Sequence, residues 1–332
     1  MKSQLQNSPQ SPLSTEGRKG LAIFPGALGD FICFLPALER MTRWGTVDLL
    51  ARSEYAALLS PQVRMRPLEC REIAALFVAG AGRDQRLQDF FGPYTFVYSW
   101  MGNHQPDFVS NLQALCQGDL GIFPFHPSQL GIHMADYYLS CLEEAYLRGP
   151  LPIIPIRSDA IAWGDCFWQG YGLEGRKVLA LAPGSGARGK NWPADFFQSA
   201  AERWEEELGH KALVILGPVE EERAEVGNPW AHGLVVRGLD LAQLAALLAR
   251  SDLYLGNDSG VTHLAAALGV KTIALFGPTD ARQWAPRGKR VTVVTRSVAC
   301  SPCDPPVMKS CPHRRCLATI SPEDVMRLAL MP

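Results

Sequence analysis

The chain has no apolar run near the roughly 18 residues that would cross a bilayer as a helix. It has no excess of either charge: the net charge of −1 gives no ground for nucleic-acid binding or a charged membrane surface. Residues 1–19 are rich in Ser, Gln and Pro and lack the apolar core of an export signal. They read as a disordered lead-in, and a cytoplasmic location is the expectation. Nine cysteines in 332 residues are too few for a secreted disulfide scaffold. Cys33, Cys70, Cys116, Cys141 and Cys166 are scattered and read as buried or half-buried thiols. There is no short-period repeat, and no Asp-x-Asp to point to an essential metal.

What is present is the grammar of an α/β protein. Hydrophobic residues make up 47 %, ample for sizeable cores, and the length suggests two domains. Residues 21–24 form a short apolar run leading into Pro25-Gly-Ala-Leu-Gly-Asp30 and then a helical pattern. Pro36 lies inside that pattern, where it would kink the helix or delay its start. A strand, a Gly-rich loop and a helix open a doubly wound domain, but this loop is not a Gly-x-Gly-x-x-Gly fingerprint. Further strands are expected at residues 47–51 and 95–100, and within 120–130, with helix over 53–60 and 133–147. His104 follows the 95–100 strand, at the sheet edge where open α/β sheets bind ligands, or is a plain surface histidine. Pro150, Pro152 and Pro155 mark a boundary.

The same grammar then restarts: Ile23-Phe-Pro-Gly26 has its counterpart in Leu181-Ala-Pro-Gly184. Strands are expected at 178–182, 212–216, 234–236 and 291–295, and helices at 194–208, 241–248 and 321–330. The first of these strands ends in a polar loop, residues 183–193, with Ser185, Arg188 and Lys190, suited to anionic oxygens. Glu220 and Glu221 open a helix whose dipole favours acids.

One stretch organises the rest, residues 252–280. It reads strand, tight turn, short helix, strand, loop. Leu253-Tyr-Leu255 suits a buried parallel strand. Asp258 or Ser259 is placed to cap the helix, Gly260 removes bulk at its start, and Gly269 closes it. A helix start with free amides at Ser259, Gly260, Val261 and Thr262 suits a phosphate. Asp258 could accept from a sugar hydroxyl, and His263 could donate to a phosphate oxygen. An ordinary βαβ turn and cap explains the same local pattern. Near the C-terminus Cys300-Ser-Pro-Cys303, Cys311 and Cys316 leave three readings open: a structural thiol or disulfide cluster, a structural zinc, or a substrate loop.

The run Gly-Asn-Asp-Ser-Gly-x-x-His-Leu-Ala-Ala-Ala-Leu-Gly-Val, followed by Leu-Phe-Gly-Pro-Thr-Asp, closely resembles the nucleotide-sugar segment of a known glycosyltransferase family. It is the family containing the ADP-heptose:lipopolysaccharide heptosyltransferases. Gly26-Ala-Leu-Gly29-Asp30 resembles its opening loop, and Lys190-Asn-Trp-Pro193 its Lys-x-Trp-Pro motif. The resemblance runs with gaps from about residue 21 to the C-terminus, strongest after 178 and weakest between 52 and 150.

It implies the GT-B architecture: two Rossmann-like α/β domains with mainly parallel sheets facing across a cleft. Residues 20–155 would bind acceptor, 156–176 would be a linker, 177–320 would bind donor, and 321–332 would hold a helix crossing back to the first domain. It implies inverting transfer of heptose from ADP-heptose to a lipopolysaccharide inner-core acceptor. Asp30 would be the general base, beside Gly26, Gly29 and His104 on the acceptor side. Lys190 would hold the donor phosphates, and Glu220 or Glu221 the ribose. No cofactor is expected beyond the nucleotide sugar. The expected partners are that donor and a lipid-linked saccharide, with room for peripheral contact at the cytoplasmic face of the inner membrane. Two alternatives stay open: another GT-B nucleotide-sugar transferase or epimerase, and a non-catalytic nucleotide-binding module.

Overall fold

The computed structural model describes residues 17–127, 131–142, 149–217 and 230–331. It divides into two compact units. Leu151–Pro332 forms the second together with Leu28–Cys33; the first holds Phe34–Pro150 and the chain up to Ala27. Among the described residues no helix is long and apolar enough to cross a membrane.

The first unit is built on five parallel strands: β1 (Lys19–Ile23), β2 (Thr46–Ala51), β3 (Val63–Pro67), β4 (Phe96–Ser99) and β5 (Asp119–Ile122). Their order is β3-β2-β1-β4-β5, so the chain reverses direction across the sheet between β1 and β4. α1 (Leu28–Thr42) follows β1 and runs through Pro36. α2 (Gln85–Phe91), α3 (Pro106–Leu115) and α4 (Met134–Ser140) supply further cover. Leu21, Ile23, Leu50 and Val97 pack against Phe108 and Leu112 of α3. β3 has no counterpart among the strands expected from sequence. It is a half-exposed edge, and its Val-Arg-Met-Arg alternation offers no apolar run. Arg66 on that edge donates to the buried Asp48 carboxylate at 3.0 Å, and the Tyr94 hydroxyl does so at 2.7 Å.

Aromatic rings crowd the chain just past the strand ends of this unit. Phe24 follows β1 and Trp100 follows β4. Phe24 stacks on Phe34 at 4.3 Å between ring centroids, and Trp100 meets Phe34 edge-on at 4.7 Å. Tyr138 of α4 lies edge-on to Phe24 at 5.3 Å.

The second unit has six parallel strands: β6 (Val178–Ala182), β7 (Lys211–Ile215), β8 (Leu234–Val236), β9 (Leu253–Asn257), β10 (Lys271–Phe276) and β11 (Val291–Thr295). The order is β11-β10-β9-β6-β7-β8. From β6 the chain winds out to β8, then returns to β9 and winds the other way. The loops leaving β6 and β9 therefore part at a topological switch point, where open α/β sheets take ligands.

α5 (Ser158–Gly170) covers part of the segment expected as a linker, and it is an integral helix of this unit. Its Trp168, with Leu173, is buried among Val178, Leu213 and Leu247. α6 (Ala194–Glu202) continues as a wider π turn over Arg203–Glu207 and stops near Gly209, whose φ of +66 suits glycine. α7 (Leu241–Arg250) opens on a full capping box between Asp240 and Gln243. α8 (Gly260–Ala267) follows β9, and α9 (Pro322–Leu330) ends the described fold, capped by Ser321. α9, which the resemblance sends back to the first domain, packs here on the second unit's own core. Val325, Met326 and Ala329 lie with Trp192, Phe197 and Leu275.

Candidate functional site

The switch point of the second unit gathers most of the residues singled out from sequence. β9 ends in Asn257, fully buried, whose side chain ties two loops together. Its amide donates to Pro183 O at 2.7 Å, and its carbonyl accepts from the Trp192 N–H at 2.8 Å. Both ends of the 183–192 loop are thereby fixed to the end of β9. Inside the loop the Ser185 hydroxyl lies 2.8 Å from Ala187 O and 2.5 Å from the Asn191 side-chain oxygen. Ser185 thus shapes the loop, and a ligand would meet its exposed neighbours first. Gly184-Ser-Gly-Ala-Arg-Gly189 has the glycine spacing of a dinucleotide fingerprint. The chain, however, runs from it into a short 3-10 turn, Arg188–Lys190, and α6 begins only at Ala194.

Lys190 projects from that turn onto Asp258, with Nζ 2.7 Å from Oδ2. The Lys190 side chain keeps 26 % of its surface, whereas Asp258 keeps 7 %. The Thr279 hydroxyl donates to the same carboxylate oxygen at 2.7 Å. Three loops, after β6, β9 and β10, thus meet at one carboxylate. Thr279 was not singled out, although it stands in the Leu-Phe-Gly-Pro-Thr-Asp run. A threonine in a turn carries no sign of its partner until the fold brings it there.

Ser259, not Asp258, caps α8, accepting from the Thr262 amide. This leaves the Asp258 carboxylate outside the helix ladder. Intrahelical bonding begins with the amides of Thr262 and His263, both donating to Ser259 O at 3.1 and 3.3 Å. The amides of Gly260 and Val261 precede it, at the positive end of the helix. Thr262 is a different case: its side chain is fully buried and close to the Tyr254 and Ser259 hydroxyls, each at 3.1 Å. Its hydroxyl also donates to Asn257 O. Thr262 therefore braces the turn from beneath. Burial pushes the Tyr254 hydroxyl above its ordinary range, so it stays a neutral partner of Thr262. Gly269, with φ +80, ends the helix as expected.

Gly260 is required by close approach. A Cβ there would lie 2.7 Å from Leu28 Cβ and 3.0 Å from Gly29 N. The first residues of α1, Leu28–Cys33, group with this unit and lie against the start of α8. His263 is buried, with Nδ1 3.7 Å from the Cys33 thiol. A Cβ on Gly29 would stand 3.4 Å from the His263 ring. Asp30 is half-buried in the first turn of α1. It does not cap that helix: Ala27 holds the N-cap position without any side-chain bond. It stands instead as an acid in the first turn, where a carboxylate favours the helix dipole.

The remaining expected positions belong to the first unit, to the tail or to residues outside those described. Gly26 is buried in the first unit, where its carbonyl accepts from the Tyr55 hydroxyl at 3.0 Å. His104 is exposed in the turn after β4, its ring 3.1 Å from the Asn103 amide. Glu220 and Glu221 lie outside the described residues. All nine cysteines are free thiols in this structure. Cys166 is exposed, unlike the buried or half-buried thiol expected there. Burial and then the neighbouring thiols push Cys303 and Cys316 above the ordinary thiol range.

Comparison with known proteins points the same way. Residues 159–311 match the family model described as glycosyltransferase family 9 (heptosyltransferase). Over 173 residues the chain is 31 % identical to lipooligosaccharide heptosyltransferase 2 of Campylobacter jejuni subsp. jejuni serotype O:2, covering 47 % of this chain and 50 % of that protein. The chain thus spans about half the length of the curated relatives it matches. A solved glycosyltransferase family 9 structure from Veillonella parvula superposes with a TM-score of 0.76 at 20 % identity, over 97 % of this chain and 98 % of that one. An E. coli heptosyltransferase, WaaC, solved with ADP-2-deoxy-2-fluoro heptose, gives 0.60 at 18 % identity, over 94 % and 98 %. These likenesses establish the α/β, GT-B-like fold. Residues 159–311 thus resemble glycosyltransferase family 9, and the chain shares the α/β, GT-B-like fold of the solved members.

Proposed function

We propose that the chain is an inverting glycosyltransferase that moves heptose from ADP-heptose to a lipopolysaccharide inner-core acceptor. The observation that carries this reading is the Lys190–Asp258 pair at the start of α8, at a sheet switch point. A diphosphate is drawn to the Lys190 ammonium and to the Gly260 and Val261 amides. Asp258, released from Lys190, then accepts from sugar hydroxyls. Ser185, Ser259, Thr262 and His263 hold these groups in place, and Glu220 or Glu221 takes the ribose. Residues 177–320 handle the donor in this reading, and residues 20–155 the acceptor, with His104 and Gly26 on that side.

The chemistry balances as a single displacement. Asp30 takes the proton of the acceptor hydroxyl as its oxygen bonds to the anomeric carbon. The bond from that carbon to the phosphate oxygen breaks, and ADP leaves with the electron pair. Lys190 and the α8 amides meet the negative charge that grows on the leaving diphosphate. No metal or other cofactor is needed for this step. The tail thiols stand outside this step, and among the described residues the ligand atoms of Cys300, Cys303, Cys311 and Cys316 do not converge as a metal-holding group. The enzyme would work in the cytoplasm, touching the inner membrane where its lipid-linked acceptor resides.

The test is a donor screen by mass spectrometry with a deacylated inner-core acceptor. Heptose-sized mass gain from ADP-heptose alone is the expected result. Transfer of another sugar from another nucleotide would move the chain to a different GT-B transferase. Binding of ADP with neither transfer nor donor hydrolysis would make it a binding module.

A further inference from the structure

The cysteine-bearing segment, residues 300–317, takes no part in the chemistry above, yet it touches two of the three loops that meet at Asp258. On one side the Cys303 amide donates to Pro278 O at 2.7 Å, and the Ser301 hydroxyl donates to Gly277 O. A Cβ on Gly277 would fall 2.4 Å from the Leu317 side chain and 3.0 Å from the Cys316 sulfur. This anchors the segment next to Thr279. On the other side Arg314 reaches the 3-10 turn that carries Lys190. One guanidinium nitrogen donates to Arg188 O at 3.1 Å and to Asn191 O at 2.9 Å. The two carbonyls flank Lys190 in sequence. Gly189, between them, has the Met308 carbonyl so close that a Cβ would lie 2.7 Å from it.

Arg314 holds an unusual backbone to do this. Its φ of +38 is the one positive value at a non-glycine among the described residues. A left-handed arginine is disfavoured unless its surroundings fix it. Here the fixing groups are on both sides of the residue. Cys316 and Leu317 are buried behind it, and the two carbonyls hold the guanidinium in front.

We propose that Arg314 is a positioning residue for the donor site: it clamps the Arg188–Lys190 turn so that the Lys190 ammonium is held at Asp258. The clamp itself is a claim about this loop; its bearing on donor affinity rests on the donor reading above. The two N–H groups of one guanidinium nitrogen have fixed directions in a planar cation and meet both carbonyls, whereas a lysine ammonium turns freely on a flexible stem. Pre-setting Lys190 removes an ordering cost that the donor would otherwise bear on binding.

Two measurements on the full chain separate the clamp from the donor reading. The variant is Arg314→Gly, since glycine tolerates the positive φ and the substitution removes only the side chain. Arg315→Ala, at the exposed neighbouring position, removes the same charge without the two bonds. Hydrogen–deuterium exchange of the ligand-free protein should show residues 187–192 exchanging about tenfold faster in Arg314→Gly, with residues 253–257 unchanged. ADP calorimetry should then show affinity about tenfold weaker in Arg314→Gly, partly restored in Arg314→Lys and unchanged in Arg315→Ala. Unaltered exchange in the loop overturns the clamp. Faster exchange with unaltered ADP affinity overturns the positioning role. Equal losses in Arg315→Ala replace it with general charge. A parent chain that does not bind ADP, with exchange still raised, shows that the donor reading is the part that failed, and the positioning role falls with it.

Discussion

The two units share a plan and finish it differently. Each is a parallel sheet whose chain reverses between two central strands, β1 and β4 in one, β6 and β9 in the other. In the first unit the residues just past those strands are Phe24 and Trp100, locked with Phe34 and Tyr138 into an aromatic cluster. In the second they are Pro183 and Asp258, tied by Asn257, Lys190 and Thr279 through hydrogen bonds and an ion pair. Apolar closure makes one strand-end region a packing element. Polar closure leaves the other with a buried carboxylate and a half-exposed cation, which a charged ligand can re-pair. The same topology thus closes on an apolar cluster or on a polar, charged one according to which side chains end its strands, and the proposed donor site falls on the polar one.

The largest effect should come from Asp30→Asn. In the proposed chemistry it loses proton acceptance and keeps shape, so turnover should fall on the order of a hundred- to ten-thousand-fold. ADP affinity and melting should match the parent. Asp30 is an acid in the first turn of α1, so matched melting is what separates loss of the base from loss of helix stability. Transfer within a few-fold of the parent would remove Asp30 from the mechanism.

Trp100→Ala probes the other side of the comparison. It takes a fully buried ring out of the aromatic cluster and should cost the first unit about 3–5 kcal/mol in denaturant unfolding. A cost near zero would mean that the cluster is not what closes that sheet.

Much of the second unit was legible in advance, because its signals are local. β9, the Ser259 cap, the α8 start and the Gly269 stop all lie within one stretch of sequence, and each obeys a rule of spacing or backbone conformation. Lys190 was legible through its loop chemistry. What escaped were contacts made by folding: Thr279 on Asp258, Asn257 across two loops, Arg314 on the Lys190 turn. No periodicity announces them. In the first unit, β3 hid behind its arginines and α3 behind a polar face. Asp30, the GT-B architecture and the heptosyl reading came from motif resemblance; the α/β class came from alternating strands and helices.

Smaller effects should sharpen the polar side. Thr279→Val removes one neutral donor from Asp258 and should weaken ADP-sugar binding a few-fold, with no change for ADP lacking the sugar. Equal weakening of both ligands would mean that Asp258 acts on the phosphates through Lys190 and not on the sugar. The tail thiols give the mildest readout. Burial and neighbouring thiols hold Cys316 protonated at neutral pH, so iodoacetamide should label it far more slowly than the exposed Cys300. Its rate should climb as pH rises through its raised pKa. Added zinc should slow labelling of all four tail thiols if they share a cation, and leave the rates alone if they do not.

The central claim is that the Lys190–Asp258 loops receive a nucleotide diphosphate. Calorimetry with ADP, UDP, GDP and CDP on the parent and on Lys190→Ala tests it most directly. The account predicts tightest binding for ADP, weakened about ten- to a hundredfold by the substitution, since charge-assisted bonds to phosphate are the strong ones. Equal binding of all four nucleotides, unchanged in Lys190→Ala, would contradict it.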